Sequence, residues 1–164
     1  MSKQFWMFLL VGLVVAGSAV GFLMWWNRGA HLELKGEILK VRTLKTDENN
    51  SIAIIDFRFV NSSDYRFVVR QVEVTLEDAG GAVVGSVPVS DVDATRLFQY
   101  YKVLGQKYNP SLLMRDRVAP RQSLDRMIAA AFALTEEKVQ QRKRLKIRVE
   151  DVDGAVSELV ETPR

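Results

Sequence analysis

No cysteine occurs in the 164 residues, which excludes disulfides, thiolate metal sites and a lipidated amino-terminal cysteine. There is one histidine, His31, so a pair of imidazoles for a metal is excluded as well, and a solvated or interfacial histidine is expected. The P-loop, the dinucleotide-binding glycine pattern, HExxH and GxSxG are all missing. Gly80, Gly81 and Gly85 read as a turn and a strand glycine, with no phosphate cradle around them. No nucleophile stands beside a base, so no catalytic residue and no cofactor is expected, and the chain does not read as an enzyme. Asp151 with Asp153, and Asp47 with Glu48, bring oxygens together in solvated turns that supply too few ligands for calcium. Charge gives no strong lead: 23 basic against 20 acidic residues leave +3 and a pI near 9.3, too little to imply nucleic acid.

Charge is also absent from residues 5–26, FWMFLLVGLVVAGSAVGFLMWW. As a helix this stretch would reach about 33 Å, enough for a hydrocarbon core of about 30 Å. It reads as an uncleaved signal anchor, because apolar sequence continues past the small residues Gly17, Ser18 and Ala19 that resemble a cleavage site. Residues 1–4 are then expected in the cytoplasm. Trp25, Trp26 and Arg28 would mark the membrane interface at the exit. Counted naively, Arg28, Lys35, Lys40, Arg42 and Lys45 against Lys3 would keep the following domain in the cytosol. Long domains cross largely regardless of charge, so an extracytoplasmic or periplasmic domain is expected. Gly17 and Gly21 form a GxxxG, and Gly12 with Ala16 is a second pair of small residues; this face suits helix packing, including a homodimer.

Residues 31–160 read as one β-rich domain, with 161–164 expected to fray. Leu32, Leu34 and Ile38 share one parity and Leu39 and Val41 the other, which predicts a β-bulge near Ile38 or a twist around Gly36. The clearest strand is 52–60, with Ala53, Ile55, Phe57 and Phe59 on one face and Asp56 and Arg58 on the other. A second runs over 65–76, Val68, Val72, Val74 and Leu76 facing in. A third covers 82–89, where Pro88 implies an edge. Ser90 and Asp93 form a capping box for a helix over 92–104, stopped by Gly105. The segment 106–121 is loop-like, although Leu112, Leu113 and Met114 need burial. Residues 123–134 fit either a helix or a strand buried on both faces; the turn-like entry and the strand count favour the strand. Thr135 caps a short helix over 136–143, and a hairpin over 145–160 turns at Asp153-Gly154. Seven short strands with polar turns predict an immunoglobulin-like antiparallel β-sandwich carrying one inserted helix and a short second one.

Three passages carry a resemblance: IIDFRFVNSS, VEVTLEDAGGAVVGS, and VAPRQSLDRMIAAAFAL followed by LKIRVEDVDG. Together they resemble membrane-anchored bacterial domains of the late-embryogenesis-abundant type 2 and FxLYD-like kind. In those, a Pro-Gly-x-Ser entry leads to a late strand; Arg121 stands here in the glycine position. The resemblance implies an anchored sandwich that binds or scaffolds, and it brings no catalytic residues.

Two surfaces stand out. Phe98, Tyr100, Tyr101 and Tyr108 concentrate aromatics around the inserted helix and suit a protein partner. Arg142, Lys143, Arg144, Lys146 and Arg148 form the densest basic run, which alternation along a strand would spread over a solvated sheet face. The expected function is a single-pass, membrane-anchored binding or scaffolding module, or an accessory subunit of a membrane complex joined through its helix.

Overall fold

The computed structural model describes residues 10, 12–22 and 34–161. The chain divides into two compact units, residues 1–31 and 32–164. In the first, residues 12–22 are helical (α1) and contain Gly12, Ala16, Gly17 and Gly21. Among the described residues no helix is long and apolar enough to cross a membrane. The expected interface residues Trp25, Trp26 and Arg28, like His31 and the rest of the expected span, lie outside the described residues.

In chain order the second unit comprises β1 (Leu34–Lys45), β2 (Ser51–Asn61), β3 (Phe67–Glu77), β4 (Val83–Gly85), β5 (Val87–Pro88), α2 (Asp91–Tyr100), a 3-10 turn (Lys102–Leu104), β6 (Arg117–Val118), β7 (Ser123–Phe132), α3 (Glu136–Gln140), β8 (Arg144–Asp151) and β9 (Val156–Val160). It is mainly β. One sheet runs β1-β2-β7-β5, the other β4-β3-β8-β9, with β6 also on β3, and every strand pair named is antiparallel. Phe57 and Phe59 from β2, Phe67 and Leu76 from β3, Phe132 from β7 and Ile147 from β8 meet in one buried cluster, so the sheets share a sandwich-like core.

Alternation along β1 breaks where expected. Ile38 pairs with Phe57 and Lys40 with Asp56, leaving Leu39 as the extra residue of a bulge. The parity switch turns Lys40, Arg42 and Leu44 to the outer face of their sheet. Gly36 packs so closely on β2 that a Cβ there would run into the Arg58 carbonyl and come within 2.9 Å of Leu159. A second bulge, between Val69 and Gln71, was not legible in the sequence. It corrects the reading of β3: Phe67 and Val69 are the inward residues at its start, and Val68 is only half-buried.

The expected strand over 82–89 divides. Ser86 N–H still donates to the Val74 carbonyl at 3.0 Å, whereas Val87 and Pro88 pair with Ala131 and Ala130 of the other sheet. Val84 lies opposite Leu76, and Arg117 lies opposite Val68 on the same margin of β3. β4 and β6 are therefore two ends of one interrupted edge strand, and residues 87–114 are the excursion between them. Where the chain leaves and returns, a cleft of about 410 Å³ opens onto Val72, Val74, Val89, Leu112 and Ile128.

β7 is a strand, resolving the ambiguous stretch. Ile128 and Ala130 enter the inter-sheet core, while Met127 and Ala129 join a second cluster with Ile54, Ala94 and Leu104 on the outer face. Burial on both faces removes the alternation by which a strand is ordinarily recognised. In the tail expected to fray, Glu161 accepts from Arg142 Nε at 2.7 Å, while 162–164 lie outside the described residues.

Candidate functional site

The site is built by the excursion over the outer face of the β1-β2-β7-β5 sheet. Ser90 caps α2, its hydroxyl accepting from the Asp93 N–H at 3.1 Å, as the capping box requires. The helix ends sooner than its apolar spacing suggested. Tyr101, at φ −108 and ψ 89, breaks it, and the 3-10 turn carries the chain to Gly105 at φ 69. Ala94 and Leu104 are buried beneath, against Leu44, Ile52 and Ile54.

Arg42 fastens this layer. Its Nη2 donates to Asp56 Oδ2 at 2.6 Å, and its Nη1 donates to the Leu104 and Gln106 carbonyls at 2.7 and 2.8 Å. Its guanidinium carbon lies 4.9 Å from the Phe98 ring centroid and 5.6 Å from that of Tyr108. Asn109 Nδ2 donates to Asp56 Oδ1 at 2.9 Å, so both carboxylate oxygens are engaged. Lys107 ties the far side, donating to Asp91 Oδ1 at 2.7 Å and Thr95 Oγ1 at 3.1 Å. That ammonium holds the Asp91 carboxyl below its ordinary value.

The four aromatics singled out by the sequence separate into two roles. Phe98 is half-buried beneath Arg42 and belongs to the support. Tyr100, Tyr101 and Tyr108 stay 79%, 42% and 65% exposed, joined by Val103 at 80%. Leu112 is buried in the inter-sheet core, while Leu113 and Met114 remain exposed. Arg42, Asp56 and Asn109 were missed as a unit. The available signal was Asp56 itself, a carboxylate next to Ile54 on a strand face that also carries Ile52 and Arg58.

The basic run dissolves into paired charges. Arg148 meets Glu73 at 3.2 Å, Lys146 meets Glu158 at 3.2 Å and Lys143 meets Glu77 at 2.8 Å, the last drawing the Glu77 carboxyl below its ordinary value. Arg142 holds Glu161, which leaves only Arg144 of the five without an ion pair among the described residues. This face is a ladder of alternating sign. The paired carboxylates of the sequence are likewise engaged locally: Asp151 accepts from the Val68 and Asp153 N–H groups, and Asp47 from Asn49 and Asn50.

No family model and no curated protein matches the chain. A solved structure, that of the Iho670 flagellar-like filament, aligns over 97% of this chain and 98% of its own at 10% identity and a TM-score of 0.34, a likeness too slight to carry an argument.

Proposed function

We propose that this chain is a single-pass, membrane-anchored, non-enzymatic binding or scaffolding module. In this reading residues 5–26 span the bilayer and an immunoglobulin-like sandwich stands on its extracytoplasmic or periplasmic side. The span is supported by its uncharged length. The immunoglobulin-like assignment is supported by strand order: β1-β2-β7-β5 follows A-B-E-D, and β3-β8-β9 follows C-F-G, with β4 in the C′ position. An anchored immunoglobulin-like sandwich is also what the resemblance to the late-embryogenesis-abundant type 2 and FxLYD-like domains implies.

The observation that carries the functional reading is the excursion between β4 and β6. Its base is fixed by the Arg42–Asp56 pair, and it presents Tyr100, Tyr101, Val103 and Tyr108 to solvent. Rigidly based, exposed aromatic area suits a protein contact. The partner is another protein or a second copy of the chain.

A photoreactive residue at Val103 in the full membrane-bound chain tests this reading. It should give a discrete adduct that Tyr100→Ala with Tyr101→Ala abolishes. An adduct indifferent to the tyrosines but lost in Gly17→Leu with Gly21→Leu would favour the alternative, an accessory subunit associating through its helix.

A further inference from the structure

One end of the sandwich gathers arginines that make no ion pair among the described residues. At this end lie the 62–66, 119–122 and 152–155 turns, together with the first residue of β1: the Leu34 N–H donates to Ser157 Oγ at 2.8 Å, and Asn61 Nδ2 donates to the Tyr65 carbonyl at 2.7 Å and the Val118 carbonyl at 3.2 Å. The chain therefore enters the domain at this end.

Pairing of β6 with β3 brings three arginines together there from distant positions. Arg117 lies opposite Val68, Arg66 precedes Phe67 (itself opposite Val118), and the Arg115 N–H donates to the Val69 carbonyl at 2.7 Å. Arg66, Arg115 and Arg117 are exposed and have no carboxylate partner among the described residues. Lys35 and Arg121 add two further cations. Against these stand the exposed Asp153 and Asp64, the latter already held by Arg121 at 2.8 Å, and the half-buried Asp116, which meets Arg126 at 3.6 Å and accepts from the Leu113 N–H at 3.0 Å. Asp151 is buried and bound to backbone N–H groups, so it neutralises nothing outside. Tyr65 and Val152 supply exposed apolar area among the cations. The opposite end holds both signs in its turns and caps, Asp47, Glu48, Asp78, Glu136 and Glu137 beside Lys45, Lys138, Lys143 and Arg144.

We propose that the arginine-bearing end is a contact surface for the phosphate-bearing headgroups of an anionic bilayer. The inference rests on the reading of residues 5–26 as a span. Residues 27–33 then reach at most about 25 Å even when extended, so this end cannot travel far from the headgroups. Guanidinium forks bind phosphate in bidentate fashion, and the attraction works within the roughly 8–10 Å over which salt leaves charges unscreened. Docking this end also directs the opposite end away from the bilayer. The contact needs no particular leaflet.

The absence of cysteine makes a direct test straightforward. Val152→Cys at this end and Glu48→Cys at the other each carry a fluorophore on the full-length chain. The chains are mixed with vesicles of phosphatidylcholine alone or with added phosphatidylglycerol, both containing a headgroup-located quencher. Quenching at position 152 should rise with phosphatidylglycerol, and quenching at position 48 should not. Arg66→Gln, Arg115→Gln and Arg117→Gln together should weaken the lipid-dependent contact on the order of tenfold or more, with circular dichroism unchanged. No rise in the parent chain, or an equal rise in the triple variant, overturns the proposal. Flotation with phosphatidylcholine vesicles reads the span separately: a chain that does not float overturns the span. The arginine surface is then judged by flotation with phosphatidylglycerol, where arginine dependence supports it and independence overturns it.

Discussion

Arg42 Nη2 stands 2.6 Å from Asp56 Oδ2, with 9% and 4% of the two side chains exposed. The pair joins strands of one sheet, yet its other hydrogen bonds go to residues 104, 106 and 109 of the excursion. Removing one member leaves a buried charge without its partner, which typically costs about 3–5 kcal/mol. Arg42→Met and Asp56→Leu should each destabilise the domain on that scale, and the double variant should lose clearly less than the sum. Urea titration of the full chain by circular dichroism measures this. Tryptophan emission would not, because Trp6, Trp25 and Trp26 all precede the domain. Additive losses would show that the pair is not an energetic unit.

Two backbone positions give opposite expectations. Gly36 has no room for a Cβ beside the Arg58 carbonyl, so Gly36→Ala should cost roughly 3 kcal/mol or prevent folding. Arg121 holds φ at 59, in the left-handed region that favours glycine. Its ion pair with Asp64 is exposed on both sides and contributes little. Arg121→Gly should therefore be neutral or stabilising by up to about 1 kcal/mol. A clear loss there, or tolerance of Gly36→Ala, would contradict the geometry.

Acid should weaken the domain through identifiable pairs. The Lys107 ammonium lowers the Asp91 carboxyl below its ordinary value, and the Arg58 fork does the same for Asp125. A depressed carboxylate contributes stability that is present above its unfolded value, about 3.9, and is lost as pH falls through its lower folded value. The urea midpoint should drop from about pH 4 downward, and Asp91→Asn with Asp125→Asn should flatten that limb. The change is modest because solvent screens both pairs. An acid limb unaltered by both substitutions would assign it elsewhere.

Legibility followed local rules. The β1 bulge, the Ser90 and Thr135 caps and the β8–β9 hairpin each obey a constraint set within a few residues, and the sequence displays it. The β3 bulge at Arg70 and the division of 82–89 at Ser86 depend on which sheet the chain meets next, which no short window records. The same holds for charge. The run 142–148 looked basic because its neutralising glutamates lie on β3 and β9, while Arg66, Arg115 and Arg117 become neighbours only through the β3–β6 register. Arg42 shows the limit from the other side: it read as one more cation after the apolar segment, and its partners come from four parts of the chain.

Protease treatment of spheroplasts producing the full chain tests the central claim most directly. If residues 5–26 anchor the sandwich outside the cytoplasm, added protease should remove the domain and leave only an amino-terminal, membrane-embedded fragment. A full-length chain that survives in spheroplasts, and is digested once the membrane is permeabilised, would contradict that placement.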